Sequence, residues 1–237
     1  MKIIYAFLIF LNIVYSKVIS IKSGGLKGFY MFGISKYIKE NYNLNNFHFY
    51  GASAGSWNSL YLSQKNIDNL LFKQLISMNL HSFKNLYDIE LQVGNFFKNN
   101  YKSHDFNLKN MHITVSIVKR FGLEKKIYGS FNTLEDTINC CMASSHIPYI
   151  SNSAPTYSYR NKGCIDGGFY PEPHPKNIKP DLIIYPEMYD NKIIDKYCQL
   201  DYLNIKDLIN EGYNDAKKHK KELDEKLKWN YDIINLL

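Results

Sequence analysis

Phe49-Tyr50-Gly51-Ala52-Ser53-Ala54-Gly55-Ser56-Trp57 is the stretch whose reading decides the fold of this chain. A short β-compatible run enters it and a helix-compatible run leaves it. Ser53 lies between them, with a glycine two residues away on either side. This is the G-x-S-x-G pattern of a nucleophile elbow, a sharp strand-to-helix turn that lifts a serine hydroxyl clear of the backbone. Gly51 and Gly55 suit such a turn because it packs backbone against backbone, where a Cβ would collide. The helix that follows aims the positive end of its dipole at the serine and favours negative charge developing there. An ordinary small-residue turn could carry the same pentapeptide, so its company in the chain has to decide.

Upstream, Lys17–Lys22 alternates and is rich in β-branched residues, which predicts a strand. Ser23-Gly24-Gly25-Leu26-Lys27-Gly28 follows directly, and Phe29–Tyr42 then carries apolar residues at helical spacing. Strand, glycine loop and helix in that order expose backbone N–H groups to an anion. The spacing matches neither a P-loop nor a dinucleotide fingerprint. Asn46–Tyr50 is the second expected strand, and Trp57–Ser63 continues the helix after the elbow.

Downstream, Asn66–Leu80 is amphipathic through Ile67, Leu70, Leu71, Leu75 and Ile76, and predicts a helix. His81–Ser103 shows no clear period and suits either a helical cap over the site or a surface helix pair. Met111–Val118 alternates as a strand, with Lys126–Phe131 as its neighbour. Asn132 or Thr133 can cap a helix running to about Ser144, with Glu135 and Asp136 in its first turn. Lys162–Ile165 is a short strand leading into Asp166-Gly167-Gly168, and Asp181–Tyr185 is apolar enough for a buried strand. Leu203–Lys228 reads as one long helix whose charges alternate in sign, the pattern of a solvated face. Strands alternating with helices favour an α/β sheet covered on both faces.

The 237 residues, 45% of them hydrophobic, suit a single domain. Cys140, Cys141, Cys164 and Cys198 lack ligand spacing, so no zinc site is expected. A net charge of +7 suits an anionic membrane surface, and equally a merely solvated basic surface. No nucleic-acid fold signature accompanies it, so nucleic acid is not an expected partner. Met1–Ser16 has a basic start, an apolar centre and a small-residue exit, which predicts a signal peptide or membrane anchor and a secretory or membrane-associated location. Without it, the expectation is cytoplasmic protein at lipid surfaces.

A serine nucleophile needs a base within reach and donors for the oxyanion. One possibility is a Ser-His-Asp esterase of another fold, with His146 or His174 as base. The other is a carboxylate serving the serine directly. Asp166, at a strand end before two glycines, is the right kind of site, although Asp-Gly turns are common for other reasons.

The glycine loop, the elbow and Asp166-Gly167-Gly168, in that order, resemble the patatin-like phospholipase family. Gly25–Gly33, Tyr50–Ser56, Ser144–Tyr149 and Glu211–Ala216 look most like its animal branch of triglyceride lipases and adiponutrins. The resemblance implies a three-layer α/β/α sandwich with a mainly parallel central sheet over residues 17–220, followed by a helical tail, 221–237. It implies hydrolysis of phospholipid or acylglycerol esters at a membrane or lipid-droplet surface, with no metal or cofactor. Carried over, Ser53 is the nucleophile, Asp166 its general base, and Gly24, Gly25, Leu26, Gly28 and Ala54 supply the oxyanion hole. Gly51, Gly55, Gly167 and Gly168 complete the motifs. One position departs: Ser23 stands where the family's first loop glycine is, and would be strained if that position needs positive φ. A lipid-binding or regulatory protein with a weakened site is the alternative.

Overall fold

The computed structural model describes residues 16–78, 85–198 and 203–228. All but the last residue of the expected signal peptide therefore lies outside the described residues. The chain opens with β1 (Lys17–Ile21), α1 (Gly28–Asn41), β2 (Phe47–Ala52) and α2 (Ala54–Ser63). It continues through α3 (Leu70–Ser77), α4 (Leu86–Asn100), β3 (Met111–Lys119), β4 (Gly122–Gly129) and α5 (Leu134–Ser145). β5 (Tyr157–Tyr159), β6 (Lys162–Ile165), β7 (Leu182–Ile184), α6 (Ile193–Tyr197), α7 (Ile205–Lys218) and α8 (Lys220–Leu227) complete it.

The fold is a three-layer α/β/α sandwich around one mixed sheet of order β5-β6-β3-β2-β1-β7, with β4 on β3 as well. β7, β1, β2 and β3 are mutually parallel, whereas β4 and β6 run antiparallel to β3. Ile19, Ser20 and Ile21 are buried in succession, as are residues 113–117. Side chains alternate between the faces of a strand, so unbroken burial requires cover on both faces. On one flank α1 and α7 cross closely: a Cβ on Gly33 would stand 2.0 Å from Ile209 O, and one on Gly212 1.9 Å from Tyr30 O. The Tyr30 hydroxyl donates to Asp215 at 2.9 Å across that crossing.

The sheet's register explains how the functional segments meet. β4 occupies one edge of β3 along residues 112–119. The other edge is shared: β2 pairs there with residues 111–114 and β6 with 116–117. β2 runs parallel to β3 and β6 antiparallel, so their C-terminal ends point at each other along that edge. Ser53 follows Ala52, the partner of Thr114, and Asp166 follows Ile165, the partner of Ser116. Two strands abutting end to end thus place a serine and an aspartate side by side.

Several elements differ from their sequence expectations. The helix expected from Asn66 starts at Leu70, after Asp68 accepts the Leu70 N–H at 2.9 Å. The strand expected from Lys126 begins at Gly122, because its charged first half is exposed on one flank of a two-stranded ribbon. The single helix expected over Leu203–Lys228 is two, α7 and α8, broken at His219. The His219 ring stacks on Tyr189 at 4.1 Å and its Nδ1 meets the Asp215 carbonyl at 2.9 Å, which turns the chain there. Residues 86–100 within the ambiguous His81–Ser103 segment form α4, capped by the Asn85 side chain accepting the Asp88 N–H at 3.0 Å.

Candidate active site

Ser53 adopts φ 54°, ψ −129°, a backbone region that L residues avoid. Neighbouring contacts hold it there. A Cβ on Gly51 would stand 2.5 Å from Gly55 O, and one on Gly55 2.1 Å from Ile21 O, so the turn closes only with bare glycines. The Ser53 N–H donates to Ser144 Oγ at 2.8 Å, and that hydroxyl donates to Thr114 O at 2.7 Å. Ser144 thereby ties the elbow at the end of β2 to Thr114 of β3.

The Ser53 hydroxyl donates to Asp166 Oδ2 at 2.6 Å, and the two residues are only 4% and 7% exposed. The other Asp166 oxygen accepts the Gly168 N–H. Its backbone is fixed as well: Asp166 N–H donates to His146 O at 2.8 Å, and Ser116 Oγ donates to Asp166 O at 2.7 Å. Gly167 allows the chain to pass, since a Cβ there would stand 2.0 Å from Thr114 O. Burial raises the Asp166 carboxyl above its ordinary value, and the bonds from Ser53 and Gly168 work against that rise.

No imidazole lies between serine and aspartate. His146 Nε2 meets Ala154 O at 3.1 Å, and His174 Nδ1 meets Ser20 Oγ at 2.8 Å. Burial lowers both rings from the usual histidine value.

Gly25, Leu26 and Ala54 line the same cavity as Ser53. Gly25 and Leu26 begin a short 3-10 turn whose hydrogen bonds start only at Lys27 N–H on Gly24 O, 3.0 Å. Ala54 begins α2. Amides at the start of a helical turn have no partner within it. Gly28 differs from the expectation: its N–H is engaged by the Gly25 and Leu26 carbonyls and is not free for an oxyanion. It packs instead, since a Cβ there would stand 2.6 Å from Ala54 Cβ. Gly28 does line the cavity, whereas Gly24 lies off its wall and is bare because a Cβ would stand 2.6 Å from the Met31 methyl. Asn58 ties loop to elbow, its Nδ2 donating to Gly28 O at 3.2 Å and Ala54 O at 3.0 Å. Ser23 is not among the residues with positive φ, so the strain expected there does not arise.

The cavity of about 120 Å³ is mainly apolar, with Phe29, Phe32, Trp57, Leu71 and Leu75 on its walls. α4 closes one side with Leu86, Ile89, Glu90, Val93 and Phe97. Those five positions follow a helical period, and Glu90 breaks the stripe, which is why the sequence hid it. The Glu90 residue is half-buried, but its Oε2 is out of solvent and without a hydrogen-bond partner. Burial, opposed by a bond from Ser145 and reinforced by the charge of Asp166, pushes its carboxyl up to about 8. Glu90 is therefore neutral near pH 7. Its folded pKa lies above the ordinary 4.5, so the stability it contributes is full below that value and is lost as pH rises toward 8. Glu90→Gln, which keeps the shape and cannot ionise, should flatten that decline. Urea midpoints across this range measure it, and parallel wild-type and variant curves would refute it.

Among the described residues, no three His, Cys, Asp or Glu side chains come together to hold a metal ion. None of the described helices is long and apolar enough to cross a membrane. All four cysteines are free thiols, and both Cys140 and Cys141 are buried.

No curated protein matches the chain significantly. Among solved structures, VipD from Legionella pneumophila is similar at 14% identity and a TM-score of 0.42, over 71% of this chain and 49% of that one. The chain thus spans about half the length of that protein. The family model described as patatin-like phospholipase matches residues 19–175, more than half of the chain and every segment that builds the site. The chain belongs to the patatin-like phospholipase family, a family of lipid acyl hydrolases.

Proposed function

We propose that this protein hydrolyses the carboxylic esters of phospholipids or acylglycerols through a Ser53–Asp166 dyad, its hydrolase domain spanning residues 17–220. The observation that carries the reading is the direct 2.6 Å hydrogen bond from the serine hydroxyl to a buried carboxylate. Ser53 Oγ attacks the acyl carbonyl while its proton passes to Asp166. The amides of Gly25, Leu26 and Ala54 hold the oxyanion, each donor being worth about 3 kcal/mol in a dry site. Collapse breaks the ester bond, and the departing alcohol takes the proton back from Asp166. Water then attacks the acyl-serine, again losing its proton to Asp166, and the fatty acid leaves as Ser53 regains its hydrogen. The mechanism calls on no metal or cofactor. The apolar cavity beside Ser53 suits the acyl chain. The finer kinship with animal triglyceride lipases and adiponutrins rests on the local motifs alone.

The test is labelling of the purified protein with a fluorophosphonate probe, followed by a panel of phospholipid and acylglycerol esters. Labelling at Ser53 with turnover supports the reading. Lipid binding without labelling would make this a lipid-binding or regulatory protein. The acid limb of kcat/KM gives a second check. A base must be ionised to act, and burial raises the Asp166 carboxyl, so activity should fade at a higher pH than an exposed aspartate would dictate. An acid limb at or below the ordinary aspartate value would contradict Asp166 as base.

A further inference from the structure

The hairpin joining β3 to β4 has no part in the chemistry, yet its surface is unusual. Its turn is Arg120-Phe121, followed by Gly122 at φ 122°. Phe121 is 89% exposed, with the Arg120 guanidinium 5.0 Å from its ring centre. Behind the turn, Val118 and Leu123 face each other across the ribbon and are 42% and 39% exposed. A single exposed apolar side chain is ordinary, but Phe121, Val118 and Leu123 exposed together at the end of one hairpin form a group that calls for an explanation.

The other face of the ribbon is cationic. Lys119 pairs with Glu124 at 2.8 Å. Lys119, then Lys162 and Lys126, hold the exposed Glu124 carboxyl below its usual range, which places three cations around one anion. Arg120 adds a fourth at the tip. The ribbon thus has an apolar side, a basic side and an aromatic end.

Its position relates it to Ser53. β2 pairs with β3 only as far as Thr114, whereas β3 runs on to Lys119. The hairpin therefore reaches five residues, roughly 17 Å at strand spacing, beyond the last β2–β3 pair, directly after which Ser53 stands. It points past the C-terminal edge of the parallel strands, where Ser53 and the glycine loop lie. Tyr170, four residues after Asp166, anchors it by donating to Leu123 O at 2.9 Å. Other segments leaving the site also carry exposed apolar groups: Phe169 at 57% follows the dyad aspartate, and Ile150 at 61% lies three residues after the cavity-lining Ile147.

We propose that the β3–β4 hairpin docks this protein on an anionic lipid bilayer, with Phe121 entering the headgroup layer and Lys119, Arg120, Lys126 and Lys162 meeting lipid phosphates and carboxylates. The choice of a lipid surface rests on the proposed hydrolase reading. The hairpin itself fits the partner by charge complementarity and by its single projecting aromatic. Basic residues near a negatively charged membrane each contribute modestly and in a salt-dependent way, and one buried aromatic adds a larger step. Docked this way, the edge of the sheet carrying Ser53 faces the surface from which its substrate comes.

The test uses the full chain with phosphatidylcholine vesicles, prepared with and without phosphatidylserine, in a co-sedimentation assay. The expected result is binding to the anionic vesicles that weakens with added salt. Phe121→Ala should reduce the apparent affinity about tenfold or more, and Lys126→Glu and Lys162→Glu each about fivefold. Turnover of a soluble short-chain ester should stay unchanged in all three variants, which also shows that they remain folded. Undiminished vesicle binding by Phe121→Ala, or equal salt-insensitive binding to neutral vesicles, would overturn the proposal. So would absence of vesicle binding together with retention of nucleic acid by the same cations. Vesicle binding without ester turnover would retain the docking surface and remove the hydrolase reading. Ester turnover without vesicle binding would do the reverse.

Discussion

Ser53→Ala should fold as the wild type does and hydrolyse lipid esters about 10⁴-fold more slowly or worse. The substitution removes one oxygen, and that oxygen donates the 2.6 Å bond to Asp166. Asp166→Asn should lose a comparable factor, since an amide keeps the shape and cannot take the proton. The double variant should be no slower than either single one, because a nucleophile and its base act as a unit and their losses do not add. Initial rates on a dispersed phospholipid measure all three, and a Ser53→Ala protein with more than a hundredth of wild-type kcat/KM would end the assignment. Stability should move the other way at this position. Ser53 is held at φ 54°, so Ser53→Gly should raise the unfolding free energy by roughly 1 kcal/mol while abolishing turnover. Opposite signs for stability and activity at one residue would be hard to produce by mere damage to the fold.

Gly55→Ala should cost both stability and rate. A Cβ there would stand 2.1 Å from Ile21 O and 2.6 Å from Lys22 O, and both are backbone atoms that cannot swing aside. Relief requires the start of α2 to move away from the end of β1. The end of β1 leads directly into the loop carrying the Gly25 and Leu26 amides, so this movement separates the oxyanion donors from the nucleophile. Overpacking of this kind costs about 2–3 kcal/mol. A displacement near 1 Å costs on the order of 10²-fold in rate. Gly25→Ala is the control: its φ of 52° disfavours a side chain, but nothing lies within 4 Å of the added carbon. That variant should lose only about 1 kcal/mol. Thermal melts and kcat/KM for the two variants measure the contrast, and equal losses would refute the steric account.

The parts of this fold that were legible in the sequence are those where one physical demand dominates. β1, β2 and β3 are rich in apolar and β-branched residues because the sheet is covered on both faces, and the glycines of the elbow stand where carbonyl oxygens leave no room. The parts that were not legible each contain two demands in conflict. α4 presents Leu86, Ile89, Val93 and Phe97 to the cavity, but Glu90 sits in the middle of that stripe, and a charged residue in sequence reads as solvent-facing. The first half of β4 is exposed and rich in charge, so nothing in it signals pairing until β3 is beside it. The break at His219 follows from a ring stacking on Tyr189, thirty residues away in the chain. β5 is three residues long and too short to show any period. At the site, Ser53 and Asp166 could be picked out locally, whereas the bridging hydroxyl of Ser144 could not, because its role exists only once the elbow at the end of β2 lies beside Thr114 of β3.

The edge of β3 shared by β2 and β6 also sets an order of events in the life of the chain. A ribosome releases Ser53, the proposed nucleophile, long before Asp166, its proposed base, since 113 residues separate them. On the proposed mechanism, the hydroxyl has no proton acceptor until β6 takes its place, and the newborn polypeptide would be inert toward lipid. On that mechanism, catalytic competence would wait for β6 to settle beside β3, so a turnover assay on a refolding sample would report assembly of that edge rather than early collapse.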